Sequence, residues 1–490
     1  MNNKLITKSI RSIAKGFVLL LMTLLFSLAN AQTNNRPNVI LITTDQQSAD
    51  AMSCMMGKRW LNTPNMDKLA SEGVVFKNAY VANPICAPSR NSIITGLFPH
   101  ITHIEGNKEL SVKDNPNQRK KFWKNEDFKS MGTWFKEAGY ETAYFGKWHL
   151  NYDPKDATAH GFETCEFATE NGKDSIMPAV INQFLQKQHT KPFLMFVSLL
   201  NPHNICEYAR FQKLPDGPIA PVPQIQAMLP PVKKNSLPPL DEADAMKLMR
   251  QSYHNNLKLF PVGNYTVQDW QRLAWGYYRL LEKTDSLVGE ILASIKSNGY
   301  DGNTVVVFTS DHGESLGAHE FNQKTVFYEE STKVPFIIRY IGNLKPGINN
   351  SLVNTGIDIL PTLLDFANAS QPAILEGKSL KTIASKGEKL PRQYIVIENK
   401  MEQGEAVEGT IPVVIGRMVR SERYKYCLYD TLNNREELFD LKNDPGETKN
   451  IAGDKEMRNL LVKHRGYLEE FALKYKDVYA MKMLVYLKGK

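Results

Sequence analysis

Pro37-Asn38-Val39-Ile40-Leu41-Ile42-Thr43-Thr44-Asp45 decides the architecture. Its apolar centre, residues 39–43, has no alternation of polar and apolar positions, so it reads as a strand buried on both faces. It ends at a carboxylate. Residues 74–80, 142–145, 193–199, 305–309 and 334–339 are further short apolar runs, and helical patterns separate them. This alternation predicts an α/β fold: a large mixed, mostly parallel sheet sandwiched by helices. Asp45 follows the first run, Lys147 and His149 follow the 142–145 run, His203 follows 193–199, and Asp311 and His312 follow 305–309. In open α/β sheets ligands bind beyond the carboxyl ends of the strands, so these residues are expected to meet in one crevice although far apart in sequence.

Two helices stand out. Residues 64–73 begin with Pro64 at the first helical position, follow Thr63 as N-cap and stop at Gly73. Residues 267–298 keep a helical period over several turns and stop at Gly299. Between them, residues 207–261 carry prolines at 215, 218, 221, 223, 230, 231, 238 and 239. Such an irregular stretch is either an exposed connector or a lid that contributes to substrate selection. After residue 369 the pattern changes to strand-like runs at 394–398, 412–419 and 424–429, then a helical tail at 455–475. This predicts a smaller C-terminal α+β domain, a short antiparallel sheet with a helix. The expected division is 1–31 as a signal peptide, 36–369 as the catalytic domain and 370–480 as the small subdomain.

The first segment rests on Lys4, Lys8, Arg11 and Lys15, an apolar run at 17–28, and Ala29-Asn30-Ala31. The run is too short to span a bilayer comfortably, and no cysteine follows it closely, so no stable membrane anchor is expected. Losing those four cations lowers the formal charge of the 490-residue chain from +8 to +4. That mild bias allows an anionic substrate, and no Lys/Arg-rich run suggests nucleic acid. Five cysteines, Cys54, Cys86, Cys165, Cys206 and Cys427, are an odd number for an exported protein and flag one thiol with another task.

Cys86-Ala87-Pro88-Ser89-Arg90 resembles the C-x-P-S-R signature of type I sulfatases in the alkaline phosphatase superfamily. The resemblance extends upstream through Pro37-Asn38-Val39-Ile40, Asp45 and Thr63-Pro64-Asn65-Met66-Asp67-Lys68-Leu69-Ala70. Downstream it takes in Gly146-Lys147-Trp148-His149, Pro202-His203, Ser310-Asp311-His312-Gly313-Glu314 and Asp444-Pro445-Gly446-Glu447. It covers nearly the whole mature chain and is closest to exported bacterial carbohydrate sulfatases, which implies a periplasmic sulfated-glycan hydrolase.

The resemblance implies that a maturation enzyme oxidises Cys86 to formylglycine (3-oxoalanine). One hydroxyl of the hydrated aldehyde attacks sulfur and displaces the alcohol; deprotonation of the other expels sulfate and restores the aldehyde. It implies a calcium ion held by Asp45, Gln46, Asp311, His312 and an oxygen of modified Cys86. Gln46 stands where a second Asp is frequent and His312 where Asn is frequent, so two carboxylates remain in the inner shell and a different metal stays open. Arg90 is assigned to holding the modified residue, and Lys147 and Lys324 to the sulfate oxygens. His149 is assigned to the release step. His203 is assigned as general acid to the leaving alkoxide, because a protonated imidazole is available near neutral pH.

Glu207, Arg210, His103 and His319 are candidates for substrate binding, with surface or packing roles as the alternative; His100 belongs with them. Two other functions stay open: a phosphate or phosphonate ester hydrolase on the same scaffold, and a non-catalytic glycan-binding protein.

Overall fold

The computed structural model describes residues 36–109, 122–167, 173–402 and 404–489. The expected signal peptide lies outside the described residues. The strands of the large sheet are β1 (Asn38–Asp45), β2 (Val74–Tyr80), β3 (Glu141–Gly146), β4 (Thr164–Phe167), β5 (Phe193–Pro202), β6 (Thr304–Ser310), β7 (Phe336–Arg339) and β8 (Gly347–Asn354). Their order is β4-β3-β5-β1-β6-β7-β2-β8. β7 runs antiparallel to β6 and β2, while the other pairings are parallel. The mixed, mostly parallel sheet is therefore as expected.

β1 is central, and successive residues serve opposite cores. Val39 and Leu41 pack with the helices Cys86–Thr95 and Thr355–Phe366 on one face. Ile40 and Ile42 pack with Met177–Leu185 and Val267–Ser297 on the other. All four are fully buried, and each stabilises the fold by about 1.5–3 kcal/mol through lost apolar exposure. Burial on both faces is why the run shows no polar alternation.

The helix Pro64–Glu72 forms as read, but its cap differs from the expectation. Thr63 makes no side-chain cap; its hydroxyl instead accepts from the Ser53 N–H at 2.7 Å. Asp285, carried by Val267–Ser297, accepts from the N–H groups of Asn65 at 3.2 Å and Met66 at 2.7 Å. A tertiary carboxylate thus satisfies orphan donors that local sequence assigned to Thr63. Val267–Ser297 begins with a capping box, Thr266 bonding to Asp269 N–H and Asp269 to Thr266 N–H.

The small sheet is an antiparallel meander of β9 (Tyr394–Met401), β10 (Val414–Ser421), β11 (Tyr424–Tyr429) and β12 (Glu436–Asp440). Two helices, Arg458–Tyr475 and Val478–Lys488, cover it, where the sequence suggested one. Leu461, Leu468, Phe471, Met483 and Leu484 meet Val396, Val419, Tyr426 and Leu428 in a core that Ala82, Phe98 and Ile357 join from the large domain. Among the described residues no helix is long and apolar enough to cross a membrane.

Candidate active site

The topology brings the candidates together. β3, β5, β1 and β6 are consecutive neighbours and parallel. Their carboxyl ends deliver, in that order, Lys147, His203, Asp45 with Gln46, and Asp311 with His312. Cys86 opens the helix Cys86–Thr95, just beyond β2. Lys324 comes from the loop between β6 and β7. Gly146 permits this convergence: its φ is 103° and an added Cβ would lie 2.0 Å from the Ser198 carbonyl oxygen.

Cys86 Sγ lies 2.8 Å from Lys324 Nζ and 3.1 Å from His312 Nε2. It is buried at the N-terminus of a ten-residue helix whose every residue is buried. Asn107 Oδ1 accepts from the Ala87 N–H at 3.0 Å and helps cap that helix end. Burial pushes the thiol up, and the charges of Lys324, Lys147 and His312 outweigh it, so Cys86 titrates well below the ordinary thiol range.

Arg90 bridges the two carboxylates. Its Nη2 donates to Asp45 Oδ2 at 2.9 Å, its Nε to Asp311 Oδ2 at 2.7 Å and its Nη1 to Ser198 Oγ at 2.6 Å. Lys147 Nζ also donates to Asp45. Burial and Cys86 raise the Asp45 carboxyl, but Lys147, His203 and Arg90 hold it well below the usual carboxylate range.

His312 Nε2 stands 3.5 Å from both Asp45 Oδ1 and Asp311 Oδ1. Asp45, Cys86, Asp311 and His312 can each present one ligand atom with all four atoms inside 4.8 Å of one another. Two carboxylates and an imidazole around one small basin fit a single divalent cation. Gln46 joins them with φ 75°. Its N–H donates to Asp311 Oδ1 at 3.2 Å, and its side-chain oxygen accepts from Lys324 Nζ at 3.0 Å.

His149 and His203 are half-buried and both interact with the Cys86 thiol. Burial and the Lys324 and Lys147 charges push His203 below the ordinary imidazole value, with Asp45 and Cys86 pulling the other way. In the free site its charged form is thus disfavoured relative to that of an ordinary imidazole.

The weaker candidates separate. Glu207 and Arg210 stay together near the 259 loop: Arg210 donates to the Leu259 carbonyl at 3.3 Å and stands 3.9 Å from Glu207. His103 is exposed after the short helix Pro99–Thr102. His319 is fully buried, stacked on Tyr328 at 3.8 Å and held by Asn235 Nδ2 at 3.1 Å. These partners fix the Pro-rich segment and leave His319 no free face for substrate. His100 pairs with Glu398 at 2.6 Å. Residues 211–224 close a cavity of about 710 Å³ against Val267–Ser297, lined by Tyr208, Tyr265 and Arg272. Asn107, Ser198 and Glu314 were missed in the sequence, since each acts by touching another site residue.

A buried thiol, three cations and two carboxylates gathered at the carboxyl edge of the sheet are a setting suited to hydrolysis of anionic esters. The chain belongs to the sulfatase family: the Sulfatase family model matches residues 37–369, and the model for the C-terminal part of N-sulphoglucosamine sulphohydrolase matches 317–474. It is a sulfuric ester hydrolase. A Delta 4,5-hexuronate-2-O-sulfatase of Bacteroides thetaiotaomicron is 31% identical over 467 residues, covering 92% of each chain. An N-acetylglucosamine-6-O-sulfatase of the same species is 28% identical, covering 92% of this chain and 89% of that one. The solved structure of a 2-O GAG sulfatase superposes with a TM-score of 0.75 at 28% identity, covering 91% of this chain and 93% of the other.

Proposed function

We propose that this chain is an exported, periplasmic sulfatase that removes a sulfate ester from a carbohydrate, a glycosaminoglycan or another sulfated glycan. The relatives named for hexuronate and glucosamine sulfates support the substrate class. The N-terminal cations and apolar run support export. The observation that carries the mechanism is the Cys86 position, 2.8 Å from Lys324 and 3.1 Å from His312 at the mouth of a buried two-carboxylate basin.

Conversion of Cys86 to formylglycine by a maturation enzyme supplies a nucleophile that can later release the sulfate it has accepted. Calcium held by Asp45, Gln46, Asp311 and His312 supplies fixed positive charge at the sulfate oxygens. Lys147 and Lys324 add cations that need no reorganisation during the reaction. Arg90 orients both carboxylates through its hydrogen bonds to Asp45 and Asp311. His203 is the general acid that protonates the leaving oxygen. His149 takes the proton of the remaining formylglycine hydroxyl in the release step, as sulfate leaves and the aldehyde re-forms. Glu207, Arg210 and His103 are left as rim contacts to the sugar.

The test is turnover of position-defined sulfated mono- and disaccharides, with mass spectrometry of the Cys86 peptide and a parallel series of aryl sulfate and phosphate esters. Preferred phosphate turnover replaces the sulfatase reading with the phosphoester one; glycan binding without turnover by modified enzyme replaces it with the non-catalytic one.

A further inference from the structure

The described mechanism leaves one buried carboxylate at the site without a task. Glu314 is 1% exposed and stands two residues beyond His312. Its Oε2 accepts from Gln46 Nε2 at 2.6 Å. Its Oε1 accepts from the N–H groups of Leu316 at 2.9 Å and Gln323 at 2.6 Å. Three donors from three places therefore converge on one carboxylate.

Each donor matters to the basin. An amide has one oxygen and one nitrogen, so holding Gln46 Nε2 at Glu314 obliges Gln46 Oε1 to face the other way, where Lys324 Nζ meets it at 3.0 Å. Gln323 immediately precedes Lys324, whose ammonium is 2.8 Å from Cys86 Sγ. The loop between is strained: Leu316, His319, Glu320, Gln323 and Thr325 all have φ between 48° and 79°. Backbone in that region persists only where its surroundings fix it. The backbone of Glu314 is itself fixed, its N–H donating to Ser48 Oγ at 3.0 Å and its carbonyl accepting from the same hydroxyl at 3.0 Å.

We propose that Glu314 is a positioning residue, a three-point clamp that turns the Gln46 oxygen toward the cation basin and holds the loop that presents Lys324. This rests on the reading of Asp45, Gln46, Asp311 and His312 as a cation site and assigns the orientation of its one neutral amide. Glu314 also places a third carboxylate behind a basin that has only two in contact, without spending a ligand position on it.

The test exchanges amide and carboxylate. In Glu314→Gln the new side chain has one acceptor oxygen, so its amide nitrogen must face either Gln46 Nε2 or the two backbone donors. In the double variant Gln46→Glu with Glu314→Gln the partners are complementary again. The new amide donates to residue 46 and accepts from Leu316 and Gln323, while the second oxygen at position 46 faces Lys324. Calcium binding is measured by titration calorimetry on the metal-stripped full chain, beside the inhibition constant for inorganic sulfate and the thermal midpoint. Glu314→Gln should weaken calcium binding about tenfold, the scale of a ligand-orienting contact, and weaken sulfate binding with it. The exchanged pair should recover most of both losses.

A merely structural role predicts a lowered thermal midpoint without recovery of affinity in the exchanged pair, and that result overturns the proposal. So does a Glu314→Gln protein that binds calcium and sulfate like the parent. If Glu314→Gln does not fold, Glu314→Asp keeps the charge but withdraws it from Gln46, and unchanged calcium affinity there also refutes the clamp. A parent chain that binds no calcium removes the cation-site reading together with this one, whereas a binding parent with insensitive variants removes this one alone.

Discussion

Of the three clusters of histidine and carboxylates among the described residues, one lies at the carboxyl edge of the large sheet and one where the small sheet meets it. At the junction, Arg417 of β10 donates to both oxygens of Asp477, at 2.6 and 3.1 Å, and stands 3.9 Å from Glu398 and 3.8 Å from Glu105. His100 takes Glu398 with one ring nitrogen and the Tyr475 carbonyl, at 3.1 Å, with the other. There the arginine and the histidine are each bound to a carboxylate, Arg417 to Asp477 and His100 to Glu398. At the sheet edge, Arg90, Lys147 and Lys324 face two carboxylates, and Lys324 and Lys147 turn toward Cys86. Both clusters offer three or more ligating groups within one small volume, so residue type does not tell them apart. The balance of residue types and the half-buried mouth do: three cations and two half-buried histidines gather round Cys86, whereas the junction sets one arginine among three carboxylates, and positive charge gathered at an open mouth suits an anion.

That contrast breaks most sharply at Cys86. Cys86→Ala should lose about 10⁴-fold or more in kcat on an aryl sulfate, as removal of a covalent nucleophile does elsewhere, while circular dichroism and the thermal midpoint stay near the parent. Comparable turnover by that variant would sink the nucleophile assignment. Arg417→Met should do the reverse. It leaves Asp477 buried without its cation, at a cost of about 3–5 kcal/mol, read by denaturant unfolding, with turnover per folded molecule unchanged. A large catalytic defect in properly folded Arg417→Met would show that the two clusters are coupled. Lys324→Met lies between: kcat should fall about 10²–10³-fold, the scale of one fixed charge at a reacting centre, without a loss of unfolding free energy.

Much of this organisation was legible in the sequence. The runs around Val39, Phe193 and Val305 are buried on both faces and therefore uninterrupted, and their carboxyl ends announce Asp45, His203 and Asp311. Edge strands were harder. β4 has four residues, none of them buried, and β8 reads Gly-Ile-Asn-Asn before its apolar end, with three of those four exposed. Neither needs an apolar run. β12 was not among the expected strands, since five residues carry too little period. In the site, a resemblance of short motifs points to residues that touch the ligand. It is silent on Ser198 and Asn107 and takes in Glu314 without giving it a role, since all three act only through Arg90, Ala87 and Gln46. His319 shows the opposite failure: it lies close to the motifs in sequence, yet packs on Tyr328 and Asn235.

The smallest effect concerns pH at the junction. Burial disfavours the His100 imidazolium, but the adjoining Glu398 carboxylate outweighs it, so the folded value is raised above 6.5. Burial works against the Asp477 carboxylate too, and Arg417 overcomes it, so its folded value is lowered below 3.8. The signs are opposite. A histidine whose folded pKa is raised contributes stability that is complete below 6.5 and fades as pH rises through the folded value. The aspartate contributes stability that is complete above 3.8 and fades as pH falls through its folded value. The junction should therefore be strongest between pH 3.8 and 6.5 and weaken on the alkaline side through His100. Thermal midpoints measured from pH 5 to 9 should fall more steeply for the parent than for His100→Gln, which can still donate to Glu398 but cannot titrate. Parallel slopes for the two proteins would mean that His100 is neutral in the folded chain and that the junction is held by Arg417 alone.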